Sequence, residues 1–177
     1  MPELRLLRAR QVFARLQVAR VLEAHHPTLA GTIPIGVDLP GSDLDVICEA
    51  YDLGRFARLV TSAYGARPGF LVRHRLIGGL PTVVARFFAC GFSVEIFAQP
   101  RPVWRQNAVR HMLVERRLLR LGGWSAAQAV RRFKEQGIKT EPAFARVFWL
   151  EGDPYRRLSE LSWLSDGDLA KVAVQAR

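Results

Sequence analysis

The chain has 177 residues, 49% hydrophobic and 24% charged, a balance that suits a folded protein long enough to bury a proper core. No uncharged apolar stretch approaches the ~20 residues of a membrane helix. Cys48 and Cys90 make neither a disulfide framework nor a metal-ligand spacing. The net charge of +10 invites a polyanionic partner, although arginine supplies 23 of the 26 basic residues, which a compositional bias of the source would also produce. Residues 1–100 carry 11 basic and 8 acidic side chains, and residues 101–177 carry 15 and 8, so the excess lies in the second part.

The start is amphipathic and arginine-rich, with no apolar core of a secretion signal. An ordinary first helix is the expectation, with a transit peptide as the alternative, and the cytoplasm is the default compartment. Residues Arg5 to Glu23 read as one helix, with Leu6, Val12, Phe13, Leu16 and Val21 available for a buried stripe. "HHPTLAG" breaks to a short strand, and "TIPIGVDLPGS" is a loop punctuated by two prolines and two glycines. "DLDVICEA" is a strand whose apolar part follows its acids. "YDLGRFARLVTSAYG" is a helix capped by Asp52. Three β-rich runs follow, "FLVRHRLI", "TVVARFF" and "FSVEIFA", with Gly78-Gly79 and Cys90-Gly91 at the turns, so an antiparallel meander is predicted. After "QPRP" the pattern is helical throughout, with Trp104, Trp124, Trp149 and Trp163 expected to pack in a core. The expected architecture is α/β (α+β): residues 1–100 form a mixed sheet with flanking helices, and residues 101–177 form a C-terminal helical bundle.

Asp43 and Asp45 stand at i and i+2 on the strand, so both carboxylates share one face and repel unless a cation or solvent separates them. Haloacid dehalogenase-like phosphatases and metal-dependent glycosyltransferases also use Asp-x-Asp, but at the end of an apolar strand. Here a polar turn, "DLPGS", precedes the pair and the apolar residues come after it. That order argues against both. Asp38 and Glu49 are expected to be surface charges.

The remaining group fits residue by residue. Gly31-Thr32, ten residues, then Asp43-Leu44-Asp45 opening a strand resembles the signature of the nucleotidyltransferase superfamily, the DNA polymerase beta-like fold, with threonine in place of serine. Glycine lets the backbone approach a phosphate, and the hydroxyl and nearby amides can donate to it. The resemblance implies that Asp43 and Asp45 hold magnesium (or manganese) ions that bridge a nucleoside triphosphate and an attacking hydroxyl. It also asks for a third carboxylate from a neighbouring antiparallel strand. Glu95 is the only acid between Asp52 and Glu115, and it departs from the usual aspartate. A solvent-facing strand glutamate is the lesser alternative. The combination "GTIPIG…GSDLDVICE", "QNAVRHM", "GIKTEPAF" and "GDPY", spanning about Leu29 to Tyr155, further resembles a family of small bacterial proteins catalogued only as a domain of unknown function and grouped with that superfamily. That family brings no established substrate.

In the helical part, Asn107, Arg110 and His111 head a stripe that continues through Val114, Leu118 and Leu121. Arg110 suits a triphosphate, and His111 suits a hydroxyl or its proton. A hydrogen-bonded group at the core edge is the equal alternative. Lys139 and Glu141 stand at a helix start, where phosphate could bind and Thr140 could simply cap. The expected activity is transfer of a nucleoside monophosphate from a triphosphate co-substrate to an acceptor hydroxyl on a small molecule, an RNA end or a protein. The alternative is a non-catalytic nucleotide- or RNA-binding module of the same fold.

Overall fold

The computed structural model describes residues 2–174. They divide into two compact units. One comprises Met1–Pro34 and Gly41–Val109, the other Ile35–Pro40 and Arg110–Arg177.

The first unit is built on one five-stranded sheet in the order β1-β2-β5-β4-β3. The strands are β1 (Thr28–Ala30), β2 (Leu44–Glu49), β3 (Leu71–Ile77), β4 (Leu80–Ala89) and β5 (Phe92–Gln99). β3, β4 and β5 form the expected antiparallel meander. Its turns fall at Gly78-Gly79 and Cys90-Gly91, all four residues having positive φ, the requirement of a tight hairpin turn. β1 is antiparallel to β2, whereas β5 runs parallel to β2. Glu95 therefore reaches Asp45 across a parallel pairing, not the antiparallel one expected from the resemblance. The reason is chain path: a helix and a hairpin intervene between β2 and β5, enough chain for a crossover.

Helices α1 (Pro2–Arg15), α2 (Val18–Val21) and α3 (Leu53–Tyr64) supply the apolar cover of one sheet face. The expected single helix over Arg5 to Glu23 is interrupted at Gln17, which is left-handed with φ 51°. Leu16 and Val18 are both buried in the same core. Residues two apart point to opposite sides of a continuous helix, so burying both requires the chain to break between them. The Asp52 side chain caps α3 as expected, accepting from the Arg55 amide at 2.8 Å. Such a cap is worth ~1 kcal/mol. Alternation along the strands then decides the faces. Val46, Cys48, Val94, Ile96, Ala85 and Phe87 point into the core with Phe56, Val60 and Tyr64, while Asp45, Glu95 and Arg86 occupy the other face.

The second unit is helical. α4 (Asn107–Glu135), which belongs to it from Arg110 onward, is two helices joined at Gly123, whose φ of 68° and ψ of −161° are not helical. α5 (Thr140–Val147), α6 (Pro154–Leu161) and α7 (Asp166–Val174) follow. Its core gathers Val114, Leu118, Val130, Phe144, Phe148, Leu158 and Leu161, together with Val37 from the preceding loop. Among the described residues no helix is long and apolar enough to cross a membrane.

Three smaller expectations fail. The four tryptophans are not core residues, being 55%, 78%, 73% and 74% exposed at 104, 124, 149 and 163. Asp38 is buried, and Glu49 is half-buried, where it accepts from the Val103 amide. Thr140 does not cap α5, because Lys139 takes the cap position without a side-chain bond. Trp104 and Trp163 instead stay largely exposed, each with an arginine guanidinium, of Arg105 and Arg110, stacked over its ring.

Candidate active site

In the first unit, Asp45 and Glu95 are direct partners in the β2–β5 register, so their side chains leave adjacent strands on the same face. Asp43 precedes β2 by one residue and shares that face by alternation. The loop before it is tied to α1 by Arg5, which donates to the Ser42 carbonyl at 3.2 Å. Gly31, at the end of β1, has φ +76° and lies against Asp45, so a Cβ there would collide with the Asp45 carboxylate. Thr32 follows at the start of a 3₁₀ turn, Ile33–Ile35. The sheet register and the glycine thus bring Gly31, Asp43, Asp45 and Glu95 to one end of one sheet face.

The same face holds a residue that the sequence reading passed over. Arg86 is the β4 partner of Glu95, and its guanidinium bonds the Glu95 carboxylate in a short ion pair. That hydrogen bond, then the Glu95 charge, raise the Arg86 pKa above its ordinary value. Burial works weakly against them, and Asp43 and Asp45 add to the rise. The acids therefore act on Arg86 as a group. The available signal was cross-strand: with the hairpin turn at Cys90-Gly91, the one arginine of β4 falls opposite the one glutamate of β5.

Three carboxylates offer hard oxygen donors, the chemistry magnesium takes. Gly31 fits such a site, because only a residue without Cβ leaves the Asp45 carboxylate its place. As folded, Glu95 is turned to Arg86, and no three acidic, histidine or cysteine side chains among the described residues converge on one point. Cation binding at all three would require Arg86 to release Glu95. Cys48, on the core face of β2, has its thiol pushed up to about 12 by burial and is chemically quiet.

On α4, the stripe turns inward as expected from Arg110 onward, while Asn107, in the first unit, is exposed. Arg110 donates to the Ser159 carbonyl at 2.7 Å and to the Ser162 hydroxyl at 2.8 Å. His111 is buried, with Nε2 2.9 Å from the Ser159 hydroxyl and Nδ1 3.5 Å from Glu141. Arg110 thus has its partners on α6 and its C-cap, and His111 has its partners on α5 and α6, as in the core-edge alternative. Burial would raise the Glu141 pKa, but bonds from His111 and a backbone amide hold it below the ordinary value. Lys139 is exposed.

Glu115, one turn beyond His111, was missed. It is 4% exposed, its Oε1 has no hydrogen-bond partner, and burial followed by the charge of Glu141 pushes its pKa up to about 8 against the pull of Lys134. Lys134 donates to the Val37 carbonyl at 2.7 Å, and burial lowers its pKa. The signal was position: 115 lies on the buried stripe of 111, 114 and 118.

Comparison with known proteins places this geometry in context. Residues 11–161 match the model of the Domain of unknown function family DUF4269, and the chain belongs to that family. No curated protein matches. Among solved structures, the chain is similar to the Cid1 poly(U) polymerase in a MgGTP-bound form, with 14% identity and a TM-score of 0.57, covering 87% of this chain and 48% of that one. It is also similar to a chain of the GLD-2/RNP-8 complex, with 14% identity and a TM-score of 0.60 over 96% of this chain and 76% of that one. A cytoplasmic RNA terminal U-transferase gives 14% identity and a TM-score of 0.56, with 86% and 46% covered. The chain spans about half the length of the Cid1 structures it matches. The fold is that of the nucleotidyltransferases.

Proposed function

We propose that this protein transfers a nucleoside monophosphate from a nucleoside triphosphate to an acceptor hydroxyl, with release of pyrophosphate. The observation that carries the reading is the register: Asp45 and Glu95 paired on one face, Asp43 beside them, and the Gly31 backbone packed on the Asp45 carboxylate. Asp43, Asp45 and Glu95 would hold magnesium (or manganese), which when bound supplies Lewis-acid stabilisation of the phosphate charge. Gly31 and Thr32 would present amides and a hydroxyl to the phosphates. In the reaction the acceptor oxygen bonds to the α-phosphorus. The bond from that phosphorus to the bridging oxygen breaks, and pyrophosphate leaves with the electron pair. The hydroxyl proton passes to the Glu95 carboxylate once Arg86 has released it. Catalysis is positioning and charge stabilisation. The acceptor is an aminoglycoside-like small molecule, an RNA end or a protein side chain, and the setting is cytoplasmic.

A second reading rests on the Arg86–Glu95 ion pair. If that pair is permanent, the third carboxylate is spent, and the chain is a non-catalytic nucleotide- or RNA-binding module. Pyrophosphate release with magnesium and each of ATP, GTP, CTP and UTP separates the two. The transferase reading expects turnover in the wild type and none in Asp45→Asn, which keeps the shape and removes one charge. Equal behaviour of the two proteins rejects it.

A further inference from the structure

The open face of the sheet continues beyond Glu95 into a groove of about 400 Å³. Arg73, Arg75 and Arg86 line it, with Val84 and Phe97 between them and Glu95 at its end. The strand register dictates this arrangement. Arg73 pairs with Val84 and Arg75 with Thr82 on β4, while Val84 pairs with Phe97 and Arg86 with Glu95 on β5. Paired residues share a face, so the arginines stand on the carboxylate side of the sheet.

Charge on an edge strand has a plain use, which is to discourage pairing with a second sheet. That use does not select a face. Yet on β3 both arginines point to the carboxylate face, and the opposite side carries His74 and Leu76, the latter 74% exposed. Arg73 and Arg75 are themselves exposed, and among the described residues neither enters an ion pair, whereas Arg86 is taken by Glu95. Two unneutralised guanidinium groups at i and i+2 stand ~6.6 Å apart along the strand. That separation is of the order between successive phosphates in a stretched single strand. Phe97 and Val84 offer an apolar floor on which a base can lie.

We propose that this groove binds the phosphate backbone of a single-stranded polynucleotide and leads its end toward Glu95 and Asp45, so that the acceptor is a nucleic-acid end. The identity of the acceptor rests on the transferase reading above; the groove's affinity for the strand does not. Arg73 and Arg75 take successive phosphates, and Phe97 supports a base.

The test is anisotropy of a short fluorescein-labelled single-stranded oligoribonucleotide with the wild type and with Arg73→Gln/Arg75→Gln, at several salt concentrations. Both positions are exposed, so the double variant should fold, which circular dichroism checks. We expect at least a ~10-fold loss of affinity, and a salt dependence shallower by about 1.4, from two phosphates at ~0.7 each. Binding of magnesium-ATP should be unchanged. Unaltered oligonucleotide affinity and salt slope in the double variant would overturn the inference. A parallel loss of magnesium-ATP binding would also overturn it, by assigning the arginines to the triphosphate. Displacement of the oligonucleotide by polyglutamate at equal concentration would overturn it in favour of an acidic protein. A wild type that releases no pyrophosphate but shows arginine-dependent oligonucleotide binding supports the groove and removes the reaction, which keeps the two claims apart.

Discussion

At the scale of single residues, Glu115 sets a pH dependence that can be read from its surroundings. An unfolded chain releases this proton near the ordinary value of 4.5, whereas the folded chain keeps it to about 8. Across that window the folded state binds more protons, so stability falls as pH rises. The slope from this one group is at most ~1.4 kcal/mol per pH unit. Glu115→Gln keeps the shape without the titration, so the variant should gain on the wild type steadily between pH 5 and 8 in urea midpoints. A constant difference between the two proteins over that range would reject the assignment. Gly31 makes a second residue-scale prediction. Alanine there adds a left-handed β-carbon and strikes the Asp45 carboxylate, so Gly31→Ala should cost ~1–3 kcal/mol of stability. The folded fraction should lose magnesium-dependent triphosphate binding in calorimetry; unimpaired binding would separate Gly31 from the site. The sequence pointed to Gly31, Asp43 and Asp45 through the resemblance of their spacing to a known signature, and to Glu95 as the only acid between Asp52 and Glu115. It hid Arg86 and Glu115, because an arginine on a strand and a glutamate on a helix are ordinary until their cross-strand or core-facing neighbours are known.

At the scale of elements, periodicity located the strands, the two meander turns and the Asp52 cap, since each is a local property of a few residues. It did not show the break at Gln17 or the parallel pairing of β5 with β2, which depend on what the chain meets in three dimensions. The joint in α4 lies between these cases. Gly122-Gly123 separates two helical patterns in the sequence, and the structure gives Gly123 a φ of 68° with no atom within 4 Å of a would-be Cβ. Crowding does not forbid alanine at 123, so backbone conformation alone sets its cost. Gly123→Ala should therefore destabilise by about 1–2 kcal/mol with unchanged far-ultraviolet dichroism. Gly122→Ala differs in kind, because its Cβ would lie 2.7 Å from the Ala126 Cβ and 3.2 Å from Phe148. Denaturant titration that finds Gly123→Ala neutral would mean the joint straightens into continuous helix, which the dichroism would show as a gain.

At the scale of the whole molecule, the charge of +10 complicates any claim of nucleotide binding, since such a surface attracts triphosphates without a site. The two modes differ in sign with respect to magnesium. Diffuse attraction weakens when the ion neutralises the triphosphate, and it fades with salt. Binding through Asp43, Asp45 and Glu95 needs the ion, because without it the carboxylate charge repels an anionic ligand. Ligand that binds only the folded state stabilises it by about 2.7 kcal/mol at a concentration 100 times its Kd. For a chain of this size each kcal/mol moves the melting temperature by ~2–4 °C, so saturating magnesium-triphosphate should raise Tm by roughly 5–11 °C. With a chelator in place of magnesium the rise should vanish, and in Asp45→Asn it should be largely lost even with magnesium. The measurement is thermal unfolding at moderate salt with each of the four triphosphates, and with tripolyphosphate as a control for charge alone. A rise that persists in chelator, or that tripolyphosphate reproduces without the ion, would assign nucleotide affinity to the basic surface and leave the carboxylate face without a triphosphate.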